Sequence, residues 1–166
     1  MIIEVPAVTV TNEVQLKKGE FKNIKWKRRI FSSTYELFTN NSKIGELNTS
    51  NFRSISVGQI NNYSFKFQKK SFWRSEIEIV DLLHHTSLGS IKFKLLGYQA
   101  EINLQGEKYV WKFENFWRSK WAVYENDFSI INYYKKSFKG EIKSKKENEL
   151  LLLCGLFVYN NLLKYQ

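Results

Sequence analysis

The chain has 166 residues, which allows one domain of ordinary size. Hydrophobic residues at 43% and charged residues at 25% exclude a disordered chain, and a single Pro with 8 Gly excludes a collagen-like or linker-rich one. Lys and Arg outnumber Asp and Glu by 26 to 16, a formal charge of +10, so the first functional question is an anionic partner against a merely solvated basic surface.

At the start of the chain, Met1-Ile2-Ile3-Glu4-Val5-Pro6 has neither a basic run nor a long apolar one, which predicts no secretory signal. Lys17, Lys18 and Lys22 then lead into Ile24, Trp26, Arg28 and Ile30 alternating with Lys25, Lys27 and Arg29. That period of two describes a strand with one apolar and one wet face. Arg28 shares the apolar face, so a buried partner is expected for it, with Glu147 or Glu149 as candidates. The same alternation returns at Tyr63, Phe65 and Phe67, at Ile91, Phe93 and Leu95, and at Phe138, Gly140 and Ile142. Between the runs lie turn residues such as Asn40-Asn41-Ser42, Asn61-Asn62, Gln105-Gly106 and Glu125-Asn126-Asp127. Short strands at this spacing, from about residue 12 to 146, predict an all-β sandwich or barrel.

Two stretches echo each other. Tyr63-Ser64-Phe65-Lys66-Phe67 leads to Phe72-Trp73-Arg74-Ser75, and Tyr109-Val110-Trp111-Lys112-Phe113 leads to Phe116-Trp117-Arg118-Ser119. Two copies cannot close a propeller. They predict two similar hairpins in one curved sheet, each with a second strand starting at Trp-Arg.

The last twenty residues break the alternation. Leu150-Leu151-Leu152-Leu153-Cys154-Gly155-Leu156-Phe157-Val158 is apolar all round, with Asn148 placed to cap and Glu147 and Glu149 suited to a helix N-terminus. A helix over about 149–164 is too short for a bilayer span, which needs roughly 20 apolar residues. Sixteen residues rise about 24 Å, the height of strands seven or eight residues long, so the lengths fit a helix threaded through a closed barrel. Leu152, Leu153, Leu156, Phe157 and Leu163 are expected to touch strands around it.

This order of elements resembles the fold shared by the tubby C-terminal domain, the phospholipid scramblases and the plant LURP-one-related proteins. The resemblance runs from about Leu16 to Tyr165 and rests on the terminal run Leu150 to Leu163, the hairpin Tyr35-Glu36-Leu37 to Lys43-Ile44-Gly45-Glu46-Leu47, and the Phe-Trp-Arg pairs. It implies a single domain over 1–166, all-β with one C-terminal helix, in which a closed, roughly 12-stranded barrel encloses a central hydrophobic helix. Tubby domains bind phosphoinositide headgroups through basic exterior residues, but no site carries over residue by residue. Scramblase-like calcium binding finds no counterpart, since Asp81 and Asp127 are isolated and no run of alternating carboxylates exists.

Catalytic patterns are sparse. His84-His85 are the only histidines and fall in a turn-like stretch; adjacent residues on a strand would face opposite ways, so no metal site is expected. Cys154, alone in the chain, reads as a small core residue rather than a nucleophile. Neither a phosphate loop nor a nucleophile elbow occurs. No catalytic residue and no cofactor are therefore assigned.

The expected function is a non-catalytic module that binds acidic membrane lipids through a basic barrel exterior, located in the cytoplasm or peripherally at a membrane surface. Its candidate anion-binding residues are Lys25, Lys27 and Arg29, three cations on one strand face, with Lys17, Lys18 and Lys22 just upstream. Nucleic acid is disfavoured, because the basic residues are 21 Lys against 5 Arg, and base-reading proteins lean on Arg. The alternatives are a lipid-acting or metal-dependent hydrolase, requiring His84, His85 and carboxylates to converge in a pocket, and a structural or interaction barrel.

Overall fold

A computed structural model describes residues 22–49, 55–70, 75–94, 96 and 98–164. Lys17 and Lys18, Phe72, Trp73 and Arg74 lie outside the described residues. Twelve strands, β1 (Lys22–Arg28), β2 (Thr34–Thr39), β3 (Ser42–Thr49), β4 (Ile55–Ile60), β5 (Tyr63–Lys69), β6 (Glu76–Asp81), β7 (Ser87–Lys94), β8 (Gln99–Leu104), β9 (Glu107–Phe113), β10 (Lys120–Glu125), β11 (Phe128–Lys136) and β12 (Lys139–Ser144), are followed by helix α1 (Glu149–Lys164). Each strand pairs antiparallel with its chain neighbours, and β1 pairs with β12, closing the barrel. Closure removes every sheet edge.

The alternation in the sequence becomes an inside and an outside. Ile24 and Trp26 on β1, Tyr35 and Leu37 on β2, Phe65 and Phe67 on β5, and Tyr109 and Trp111 on β9 are buried. Lys25, Lys27, Lys112 and Lys143 stand between inward-facing positions, on the outer wall. Charge outside and apolar side chains inside reverse the pattern of a membrane-spanning barrel, whose lipid-facing wall is apolar. No helix among the described residues is long and apolar enough to cross a membrane.

The lumen is filled by α1. Residues 150–160 and Leu162 are all buried, which a helix achieves only when walls surround it. Asn148 starts it by accepting the Leu151 N–H on Oδ1 at 2.9 Å, the geometry of an N-cap. Strands from several sides grip its length. Phe67 stacks on Phe157 with centroids 4.5 Å apart, and Trp121 stacks on Tyr159 at 3.9 Å. Aromatic pairs of this kind contribute about 0.5–1.5 kcal/mol beyond area burial. The Trp111 indole N–H donates to the Gly155 carbonyl at 3.0 Å, and the Tyr133 hydroxyl donates to that of Leu152 at 3.1 Å. Gly155 is required here: a Cβ would lie 2.1 Å from the Tyr133 hydroxyl oxygen. Leu152, Leu153, Leu156 and Phe157 are buried as expected, while Leu163 packs half-buried at the edge of the core. Burial drives the Cys154 thiol pKa well above its ordinary value, consistent with a core role.

The two ends of the barrel differ. At the proximal end, where β1 and α1 begin, β2–β3, β8–β9 and β10–β11 are joined by two residues each. Asn40 and Asn41, Gln105 and Gly106, and Asn126 and Asp127 all have positive φ, as two-residue hairpin turns of the twist-matching kind require. At the distal end, where α1 finishes, intervals other than the two residues between β11 and β12 are longer, among them 29–33 between β1 and β2, and 114–119 between β9 and β10. The second Phe-Trp-Arg lies in this last interval. Phe116, Trp117 and Arg118 precede β10 rather than opening it, correcting the expectation of a strand starting at Trp-Arg.

Candidate anion-binding groove

On the outer wall, β11, β12 and β1 run side by side, and their register sets three rows. Lys27, Lys139 and Lys136 are directly opposite one another across the three strands. Two residues along, Lys25, Glu141 and Tyr134 form a second row. Between them, in the inward-facing row, come Trp26, Gly140 and Lys135. Neighbouring strands lie about 4.8 Å apart, so the three lysines of the first row are crowded without an intervening carboxylate. Like charges directly opposite on a sheet destabilise it.

These residues line a groove of about 710 Å³ together with Phe38 and Asn41. Of its charged residues, five are lysines (Lys25, Lys27, Lys135, Lys136 and Lys139) and one is an acid, Glu141. None of the five lysines is ion-paired with a carboxylate among the described residues. Lys27 sits 5.4 Å from the centre of the Phe38 ring, so an aromatic face borders the cationic row. Gly140 keeps the strands close at this point, because a Cβ there would run into the Trp26 indole and the Tyr134 carbonyl oxygen.

A smaller cavity of about 160 Å³ opens beside the groove at the distal rim, lined by Trp26, Arg28, Tyr35, Lys135, Ser137, Phe138 and Tyr159. Arg28 lies 5.7 Å from the centre of the Tyr35 ring, and Lys135 lies 5.5 Å from that of Tyr159. Burial of its ammonium and the nearby Arg28 charge together pull the Lys135 pKa below the ordinary lysine value. Burial also pushes the Tyr35 and Tyr159 hydroxyls up to about 12, so both are neutral at physiological pH. The Tyr159 hydroxyl and the Trp26 indole N–H have no hydrogen-bond partner among the described residues.

The structure separates the sequence-predicted residues. Lys25 and Lys27 both line the groove. Arg29 lies just beyond β1, where its guanidinium donates to Glu36 at 2.6 Å, and Lys43 binds the same carboxylate oxygen at 3.2 Å. These hydrogen bonds hold the Glu36 pKa below the usual carboxylate value, and they occupy the Arg29 charge. Lys22 belongs to the proximal end, 3.9 Å from Glu149. The buried partner expected for Arg28 is also absent from Glu147 and Glu149: they mark the start of α1, while Arg28 sits at the opposite rim, half-buried against an aromatic ring. Ile30, expected inward, is exposed in the β1–β2 connection.

Lys135, Lys136 and Lys139 lie far along the chain from Lys25 and Lys27. Their union with Lys25 and Lys27 follows from the β1–β12 closure, which no local pattern reveals. His84, in the β6–β7 connection, bonds Asp81 at 2.9 Å through Nδ1. No group of three His, Cys, Asp or Glu placed to hold a metal occurs among the described residues. A third depression of about 530 Å³ surrounds the start of α1 and is lined by Asp81, Glu147 and Glu149, of which Asp81 bonds His84 and Glu149 lies 3.9 Å from Lys22. No protein-family model, curated protein or solved structure matches this chain.

Proposed function

We propose that this protein is a non-catalytic binding module of the tubby-like barrel kind, and that its β11–β12–β1 groove binds the headgroups of acidic lipids. The observation that carries this reading is the row Lys27–Lys139–Lys136, three cations opposite one another with no carboxylate among the described residues paired to them. An arrangement that costs the folded state repulsion becomes favourable when an anion sits among the ammonium groups. The groove lies on the outer wall of the barrel rather than inside it, which suits phosphates on a surface better than one buried metabolite. Each lysine near an acidic membrane contributes about 1 kcal/mol, so five give attachment that is weak, reversible and salt-sensitive.

Sedimentation with vesicles tests the reading. The protein should pellet with phosphatidylserine-containing vesicles at low salt, less so at moderate salt, and stay in solution with pure phosphatidylcholine. Lys25→Glu/Lys27→Glu should weaken binding by about tenfold or more, since each reversal removes one attraction and adds one repulsion. Equal binding to both vesicle types, or an unaltered double variant, would refute it.

A further inference from the structure

Resting on the headgroup reading, we propose that the distal end of the barrel is the face that meets the bilayer, with Phe31, Phe116 and Trp117 entering the interface while the groove lies at headgroup level.

Large apolar side chains are unevenly distributed between the two ends. Phe31 in the β1–β2 connection is fully exposed, and Phe116 and Trp117 in the β9–β10 connection are 90% and 82% exposed. Ile30, Leu96 and Phe138 are exposed on connections at the same end. At the proximal connections, Leu83 alone among the described residues is comparably exposed, and Phe128 and Tyr63 open the adjoining strands.

These side chains are held out by construction. Asn115 Oδ1 accepts the N–H groups of Ser119 and Lys120, both at 3.0 Å, and its amide donates to Ser119 Oγ at 2.8 Å. This lattice fixes the loop between, and the Phe116 and Trp117 rings meet edge to face 5.5 Å apart. A rigid exposed aromatic pair enters an apolar medium without first losing loop entropy.

The distal connections are also tied into one surface. Arg118 covers the Tyr98 ring at 4.2 Å, the Lys135 N–H donates to Ser119 O at 2.9 Å, and the Arg28 N–H donates to Phe138 O at 2.7 Å.

Charge selects an anionic bilayer over an apolar protein partner. Arg118, Lys120, Lys136 and Lys139 flank the aromatics, and none is ion-paired with a carboxylate among the described residues. The one acid in the 114–119 connection, Glu114, already accepts the Tyr124 hydroxyl at 2.7 Å. Cations around protruding aromatic and aliphatic side chains match the headgroup layer over acyl chains. The row Lys27–Lys139–Lys136 of the groove then falls at the right depth, because Lys136 and Lys139 lie next to the Ser137–Phe138 turn.

The test uses the full chain and vesicles of phosphatidylcholine with phosphatidylserine, the former carrying brominated acyl chains. In a Trp73→Phe background, tryptophan emission should be quenched on binding, and adding Trp117→Phe should remove a large share of that quenching, since the remaining Trp26, Trp111 and Trp121 are buried. Phe31→Ser/Phe116→Ser/Trp117→Ser should melt as the wild type does and bind these vesicles about tenfold more weakly or worse. If the triple variant binds like the wild type while Lys25→Glu/Lys27→Glu does not, the groove stands and insertion is overturned. Quenching that Trp117→Phe leaves unchanged also overturns insertion. If the wild type ignores acidic vesicles altogether, the headgroup reading falls and this one with it.

Discussion

The two ends of the barrel are built from the same strands and have opposite characters. At the proximal end, four of the five strand connections are two-residue turns, and the cation Lys146 is matched. Lys146 reaches Glu107 at 2.9 Å, Glu125 at 2.8 Å and the Tyr109 hydroxyl at 2.8 Å. Burial works against its charge, but bonds to Glu125, Tyr109 and Glu107 outweigh that and hold its pKa above the ordinary lysine value. At the distal end, connections lengthen, aromatics protrude, and Lys136 and Lys139 stand side by side. The difference teaches where stability and where recognition reside: Lys146 is satisfied within the fold, whereas the row Lys27–Lys139–Lys136 is left for a partner while other distal cations, Arg29 and Lys70, are paired with Glu36 and Glu76.

The largest effect concerns what both ends share. Deleting residues 147–166 empties a lumen whose walls are Trp, Tyr, Phe and Ile side chains shaped around α1. The truncated chain should lose cooperative unfolding and near-ultraviolet circular dichroism while keeping strand-type far-ultraviolet signal. A truncated protein that melts as sharply as the full chain would contradict the threaded-helix architecture.

A smaller effect separates the ends directly. Lys146→Met removes a cation that three groups engage, and should lower stability to urea by about 1 kcal/mol. Lys139→Met removes a cation that faces two others, and should leave stability unchanged or slightly raised, within about 0.5 kcal/mol. Equal losses in the two variants would erase the distinction between a matched and an unmatched cation.

The smallest effect is a pH signature at Glu36, where the distal side does have a matched pair. Hydrogen bonds from Arg29 and Lys43 lower its folded pKa, so its contribution is present above the unfolded carboxylate value near 4.3 and lost as pH falls through the lowered folded value. Its size should stay below about 1 kcal/mol, given the exposure of both cations. The melting temperatures of wild type and Glu36→Gln should differ at pH 6 and converge in strong acid; a difference that persists there would remove the pair as its cause.

Much of the fold was legible because its signals are local. Alternation marked inward and outward residues, paired Asn residues marked tight turns, and Asn148 ahead of a leucine run marked the helix start. Lys25 and Lys27 were legible as outward cations for the same reason. The ion pair of Arg29 was not legible, because it depends on Glu36, seven residues away across a hairpin whose register the sequence does not print. Lys136, Lys139 and Tyr134 could not be assigned to the same groove, since they join β1 only when the barrel closes. Phe116 and Trp117 did mislead. The repeated Phe-Trp-Arg read as the opening of a strand, whereas the Asn115-braced loop holds it before β10 with both aromatics outward.

Closure itself has a kinetic consequence. Eleven of the twelve strand pairings join neighbours in sequence, and one, Trp26 against Gly140, joins residues 114 positions apart. The first eleven grow as a ribbon from local hairpins, each forming on the microsecond scale. The twelfth must bring distant strands together around a helix that the chain supplies last, so this step carries most of the loop-closure entropy. An open ribbon would display Trp26, Trp111 and Trp121 along one uncovered apolar face until then. Folding speed, and losses to aggregation along the way, are therefore set at a single seam between β1 and β12, the seam across which the lysine row is assembled.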